Sequence, residues 1–311
     1  MAVTVKPAGV YLNFGNCLEI SNEKVSLLVT VDVGPRIIRC SRLGGVNLMN
    51  NDVERNVTNS GPAFDDYYYK GATWNIYGGH RLWISPESLP ETYYPDNDPV
   101  AYEVLEDGAV FTPPAQISND VQMKMQITLS GETVTIRHFI TNLSKQTREM
   151  SPWALTVLNK GGLEIVPQNT TDTGLLANRR LILWPYANMA DPRVYFGERY
   201  ITLQQDASIC QAFKIGMDNE HGWAMYILGD TVFIKQYVHE KDQPYVDYGA
   251  SFETYTNEHI LEMETLGHIY QAAPGQTLQH VERWSLYANP GTPDRKDEQQ
   301  IEAFVKQFMH E

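Results

Sequence analysis

The stretch Val121 to Thr141, VQMKMQITLSGETVTIRHFIT, decides the fold class. Val121, Met123, Met125, Ile127 and Leu129 recur at every second position with polar residues between them. That period marks a strand buried on one face. Ser130-Gly131-Glu132 carries turn chemistry, after which Val134, Ile136, His138 and Ile140 resume the alternation. Two such runs around a glycine-bearing turn predict an antiparallel hairpin. His138 lies on the apolar side, so it is expected to be a core histidine with its nitrogens satisfied.

The same period spreads outward. KVSLLVTVDV (24–33), GWAMYIL (222–228), TVFIKQYV (231–238) and HILEMETL (259–266) all read as strands, separated by Gly44-Gly45, Gly161-Gly162, Gly229-Asp230 and Pro274-Gly275. Only the C-terminus reads as a helix. Ile301, Phe304, Val305 and Phe308 recur at helical spacing, with Thr292 expected as N-cap and Pro293 in the first turn. This helix, over about 293–311, is expected to pack on the outside of a sheet, with His310 in solvent. No internal repeat or linker divides the chain, so residues 1–311 are expected to form one all-β domain.

Residues 50–99 differ. NVTNSGPAFDDYYYKGATWNIYGG and SPESLPETYYPDNDP show no sustained period and are crowded with Tyr, Trp, Asp, Pro and Gly. An aperiodic stretch of this length is unusual inside a compact domain unless it is functional. Two readings stay open: aromatic loops that build a ligand site, or aromatics that cover one end of a sandwich.

Composition removes several functions. A net charge of −14 disfavours nucleic acid, anionic membranes and polyanionic substrates, leaving a neutral small molecule as the easier partner. Cys17, Cys40 and Cys210 are odd in number and far apart, which indicates neither a disulfide framework nor a cysteine zinc site. The first residues lack the pattern of a signal peptide, and no apolar run is long enough to span a bilayer. A soluble cytoplasmic protein is expected. There is no phosphate-binding loop, dinucleotide fingerprint, zinc-protease helix or serine elbow. The eight histidines show no short metal-ligand spacing, which leaves a metal assembled from distant positions as an open but unsupported alternative.

What remains is a set of charged and aromatic side chains on strands. In HILEMETL, alternation places Ile260, Glu262, Glu264 and Leu266 on one face. Neighbouring carboxylates in a partly dry site would raise one pKa, as acid/base chemistry requires. Against this, the face could meet water, or Arg and Lys neighbours could neutralise the pair. Lys235 shares parity with Phe233 and Tyr237, which suits a donor to sugar oxygens or a side chain snorkelling to the sheet edge. YGGHRLWISPE (77–87) places His80, Arg81, Trp83 and Glu87 close together after two glycines.

Several stretches together resemble the galactose mutarotase-like (aldose 1-epimerase-like) superfamily. TVTIRHFITNLSKQTREMSPWALTV (133–157) is similar to its central strands, and LEMETLGHIYQAAPGQTLQHVERWSLY (261–287) to its closing segment. DVGPRIIRC (32–40) resembles its opening strand pair. GGHRLWISPE (78–87) looks like the Gly-Gly-x-Arg-x-Trp loop of one branch. The resemblance runs from about Val31 to Tyr287. It implies a mostly antiparallel β-supersandwich around a sugar-binding cleft, and cofactor-free interconversion of sugar anomers as the reference reaction.

The resemblance also implies roles. A glutamate in a Glu-Thr strand before the last Pro-Gly is the family's base. METLGHIYQAAPG transfers that role to Glu264, while FETYTN offers Glu253 as a competing register. Epimerases of this superfamily place a histidine in an Asn-His-x-Tyr-Phe-like strand, and the corresponding stretch here, SPWALTVLN (151–159), has none. His80 is then the candidate acid and must reach the pocket of Glu264, within one sugar ring. Arg81, Trp83, Tyr77, Glu87, Lys235, Glu253 and Trp153 are the expected substrate-binding residues, with tyrosines between Tyr67 and Tyr94 closing the cleft. Three functions follow: an epimerase, a carbohydrate-binding or sensing protein without the acid, and a sugar lyase or other sugar-modifying enzyme.

Overall fold

Residues 2–309 are described by a computed structural model; His310, whose solvation was expected above, lies outside them. Two antiparallel sheets, of eleven and ten strands, enclose the main core. The hairpin forms as its alternation dictates. Val121–Ser130 pairs with Thr133–Asn142, and all the apolar positions named above are buried. Both strands belong to the ten-stranded sheet, beside Thr277–Ala288 and Thr231–Tyr237. No helix among the described residues is long and apolar enough to cross a membrane.

The eleven-stranded sheet runs through Ile37–Arg42, Gly79–Ser85, Arg148–Asn159, Ile260–Leu266, Phe252–Thr256 and Phe213–Met217, in that spatial order. The GGHRLW segment is therefore a central strand and not a loop. Its alternation is hidden because both of its faces are covered, so almost every residue is buried. The glycines admit close backbone approach: a Cβ on Gly78 would lie 2.1 Å from the Asn50 carbonyl oxygen, and one on Gly79 2.3 Å from that of Ile37.

Residues 50–99 also hold more regular structure than their composition suggests. Thr58–Ser60 pairs with Thr73–Asn75, and Pro62–Tyr67 is a short helix between them. Phe64, Trp74 and Ile76 pack on Trp83, Trp153, Leu155 and Leu266, covering the outer face of the eleven-stranded sheet. The two readings of this segment merge, since the covering aromatics also form a cleft wall.

The C-terminal helix spans Glu298–Val305 and starts later than expected. Asp297, not Thr292, is the N-cap, accepting from the Gln299 and Gln300 amides. Ile301, Phe304 and Val305 pack on the outside of the ten-stranded sheet, as the helical spacing predicted. Burial of each contributes about 1.5–3 kcal/mol.

Candidate functional site

Cross-strand register assembles the site on the outer face of the eleven-stranded sheet. One row joins Trp83 to Trp153 and Leu266. The next joins Arg81, Leu155, Glu264, Glu253 and Gly216. The third joins Gly79, Val157, Glu262, Tyr255 and Lys214. Period two keeps all of these side chains on one side, which is how residues far apart in sequence converge.

Most of them line a cleft of about 390 Å³, within the ordinary range for small-molecule sites. Trp74, Trp83, Trp153 and Trp184 wall it, together with Tyr93, Tyr186 and Tyr255. The indoles are interlocked, Trp83 lying 5.4 Å from Trp74 and 5.3 Å from Trp153 between ring centroids. Arg81 stacks 4.1 Å from the Trp83 centroid, and Lys214 sits 5.0 Å from Trp153 and 4.6 Å from Trp184. Such contacts orient the cations and desolvate their faces.

The charges are layered. Lys214 Nζ lies 2.7 Å from Glu253 Oε2 and 3.0 Å from Glu264 Oε2, and Trp153 Nε1 donates to the same Glu264 oxygen at 2.9 Å. Burial opposes the Lys214 charge, but Glu264 and Glu253 outweigh it and hold the ammonium above the ordinary lysine range. One cation cannot compensate two carboxylates. Burial, opposed by Lys214 and reinforced by Glu264, raises the Glu253 carboxyl well above the carboxylate range. Arg81 Nη2 reaches Glu262 Oε1 at 3.4 Å, and burial raises the Glu262 carboxyl despite that cation.

Several buried polar atoms here have no protein partner: Glu264 Oε1, Arg81 Nε and Nη1, and Trp74 Nε1. Each unmet group costs about 1–3 kcal/mol, more for charged ones. An acceptor and three donors are thus presented without partners among aromatic faces.

The structure brings Glu264, Arg81, Trp83, Trp153 and Glu87 to this cleft. Glu87 stands at the rim and accepts a short hydrogen bond from the Tyr93 hydroxyl. Glu253 lies behind Glu264, against Lys214. Tyr77 lies elsewhere, packed between Phe14 and Arg55 with its hydroxyl on Asn97. Lys214, Trp184, Tyr186 and Trp74 were not singled out from sequence. Lys214 had one signal, a lone lysine in the apolar strand FKIGM (213–217).

His80 and Lys235 require correction: neither reaches the cleft. His80 follows Gly79 and precedes Arg81, so parity turns it to the interior, where it is fully buried. There His138 Nδ1 faces the His280 carbonyl at 3.3 Å, and a carbonyl only accepts, so Nδ1 bears the proton. His138 Nε2 then accepts from His80 Nε2 at 2.8 Å, and His80 Nδ1 accepts from the Thr156 hydroxyl at 2.9 Å. Lys235, fully buried in the opposite sheet, donates to Thr156 Oγ1 at 2.8 Å, Met263 O at 2.9 Å and Ala154 O at 3.2 Å. It also pairs with Glu282 Oε1 at 3.0 Å. Both His80 nitrogens are used, and the expected pairing of His80 with Glu264 across one sugar ring does not occur.

Burial, reinforced by His138 and Lys235, lowers the His80 pKa well below the ordinary histidine value. Burial takes His138 and His280 to about 3. His80, His138 and Glu282 bring ligand-type atoms within 4.8 Å of one another. The two Nε2 atoms are bonded to each other, however, and Lys235 already supplies the positive charge beside Glu282.

No protein-family model and no curated protein sequence matches the chain. Solved structures do match. A candidate aldose 1-epimerase from Klebsiella pneumoniae superposes with a TM-score of 0.58 at 12% identity, covering 97% of this chain and 86% of the other. A galactose mutarotase-like protein from Lactobacillus casei gives 0.55 at 8%, over 87% and 100%. Another from Clostridium acetobutylicum gives 0.55 at 10%, over 93% and 99%. The chain has the galactose mutarotase-like fold.

Proposed function

We propose that the cleft binds a carbohydrate. The observation that carries this reading is the set of unpartnered buried polar atoms on Glu264, Arg81 and Trp74, held between indole faces. A pyranose offers what that surface lacks: C–H faces for the tryptophans, and hydroxyls that both donate and accept. The solved structures of the same fold that are named for aldose 1-epimerase and galactose mutarotase make a sugar the natural ligand class.

A second reading, anomer interconversion, is favoured by the paired carboxylates. Glu264 Oε1 would take the proton of the anomeric hydroxyl as the bond between the anomeric carbon and the ring oxygen breaks. Glu262, whose carboxyl is raised by burial, would give its proton to the ring oxygen. The open aldehyde rotates, and the reverse transfers close the ring on the other face. Glu262 replaces His80 in the acid role, because the histidine does not face the cleft. A sugar lyase or other sugar-modifying enzyme has no observation of its own in its favour.

Both readings are tested with a panel of neutral hexoses and pentoses, followed by NMR for binding and for anomer equilibration. The wild type is expected to bind at least one sugar, and Arg81→Met to weaken that binding at least tenfold. If equilibration is accelerated, Glu264→Gln and Glu262→Gln should each remove most of the acceleration. Binding without acceleration leaves a carbohydrate-binding protein. A panel in which no sugar binds sinks the proposal.

A further inference from the structure

Trp83 lines not only the cleft but also a second recess. This recess opens between Gly79–Ser85 of one sheet and Val121–Ser130 of the other, under Tyr94, Asp96 and Pro113. Leu82, Met123 and Met125 make it largely apolar, and all three are at least nine-tenths buried. Among its polar side chains, which include Asp96 and Gln116, Arg36 is the most buried, only 2% exposed. Arg36 Nη1 lies 2.5 Å from Asp96 Oδ2 and donates to the Pro35 carbonyl at 3.2 Å. Arg36 Nε and Nη2 have no partner, nor has Asp96 Oδ1.

We propose that this recess is a second binding site, for a small neutral molecule with a carboxamide head and a short apolar body. The head follows from the unmet atoms. Two N–H donors and one carboxylate acceptor stand on a single ion pair, and a carboxamide offers the matching carbonyl and NH₂. Charge excludes the obvious alternative, a carboxylate. Arg36 is already neutralised by Asp96, and Lys124 and Asp98 balance each other at the rim, so an anionic head would bring an uncompensated charge into an apolar space. The body follows from the walls. The cavity, about 40 Å³, is too narrow for a sugar ring. Unbranched Met123 and Met125 can shift to admit a chain of a few carbons. The site does not depend on the function proposed for the cleft.

The test uses the full chain labelled at its tryptophan indoles, titrated with butyramide and with butyrate and observed by NMR. Butyramide should shift the Trp83 signal in the millimolar range, at least tenfold more tightly than butyrate. Met123→Trp, which fills the recess and leaves Arg36 and Asp96 intact, should abolish the shift. Glu264→Gln, in the cleft, should leave it unchanged. A stronger response to butyrate would overturn the choice of head group. No response to either compound, with a high-resolution structure showing only water on Arg36, would overturn the site itself. So would a response that survives Met123→Trp.

Discussion

The two faces of the central strands both carry ionisable groups, yet they have opposite character. Toward the interior, His80, His138, His280, Thr156, Thr265, Lys235 and Glu282 form a network in which each side chain finds a partner. Toward the cleft, Arg81, Glu264 and Trp74 keep atoms without one. Residue type does not separate them, since histidine, lysine and glutamate occur in the network that is closed. A candidate site is marked by unmet hydrogen-bonding capacity beside a cleft.

The largest test of this contrast removes the central cation from each face. Lys235→Met leaves Glu282 buried in the core without its cation, and a loss of about 3–5 kcal/mol is expected in urea unfolding. Lys214→Met should cost less, about 1–3 kcal/mol, because burial already favours the neutral form of the Glu253 carboxyl and the cleft admits water. Equal losses would erase the distinction between the faces.

The next test is acid. The folded state keeps His138 and His280 neutral down to about pH 3, whereas unfolded histidines take up protons near pH 6.5. The unfolded chain therefore binds more protons below that pH. The contribution of these two histidines to stability should fall as pH drops through this window, by about 1.4 kcal/mol per pH unit for each, against the opposite trend of the raised carboxyls. His138→Gln should flatten the slope, as read from urea midpoints between pH 7 and pH 4. An unchanged slope would place the acid sensitivity elsewhere.

A smaller effect of opposite sign is expected at Glu164. Burial pushes this fully buried carboxyl to about 8, although the Thr254 hydroxyl and Lys235 favour its ionised form. Between its ordinary value of 4.5 and about 8, the folded chain holds a proton that the unfolded chain has lost, so stability declines as pH rises. Glu164→Gln removes that decline, and its gain over wild type should be larger at pH 8 than at pH 5. A pH-independent difference would show that the carboxyl titrates normally.

The sequence made the strands and half of the site legible. Strict alternation marked the hairpin from Val121, and parity correctly placed Glu262 and Glu264 on one face. The same rule assigns His80 and Arg81 to opposite faces once 79–85 is read as a strand. Burial on both sides removes the polar half of its pattern, so the segment resembles a loop in sequence. Lys235 illustrates the other limit. Its parity with Phe233 and Tyr237 indicated an aromatic face, but not that the face is the core. Lys214, Trp184 and Trp74 come from segments whose neighbours in space are set by sheet order, and no local pattern encodes that order.

The Lys235 ammonium has four oxygens around it, from Ala154, Thr156, Met263 and Glu282. Those oxygens come from both sheets, and two of them are backbone carbonyls of the strands that present Leu155 and Glu264 to the cleft. This is the coordination sphere of a small structural ion, with the ion built into the chain. It needs no supply from the medium, and no chelator can remove it. The spacing of the catalytic-looking strands is accordingly a property set from the opposite sheet, so substitutions around residue 235 should register at the cleft as if they had been made there.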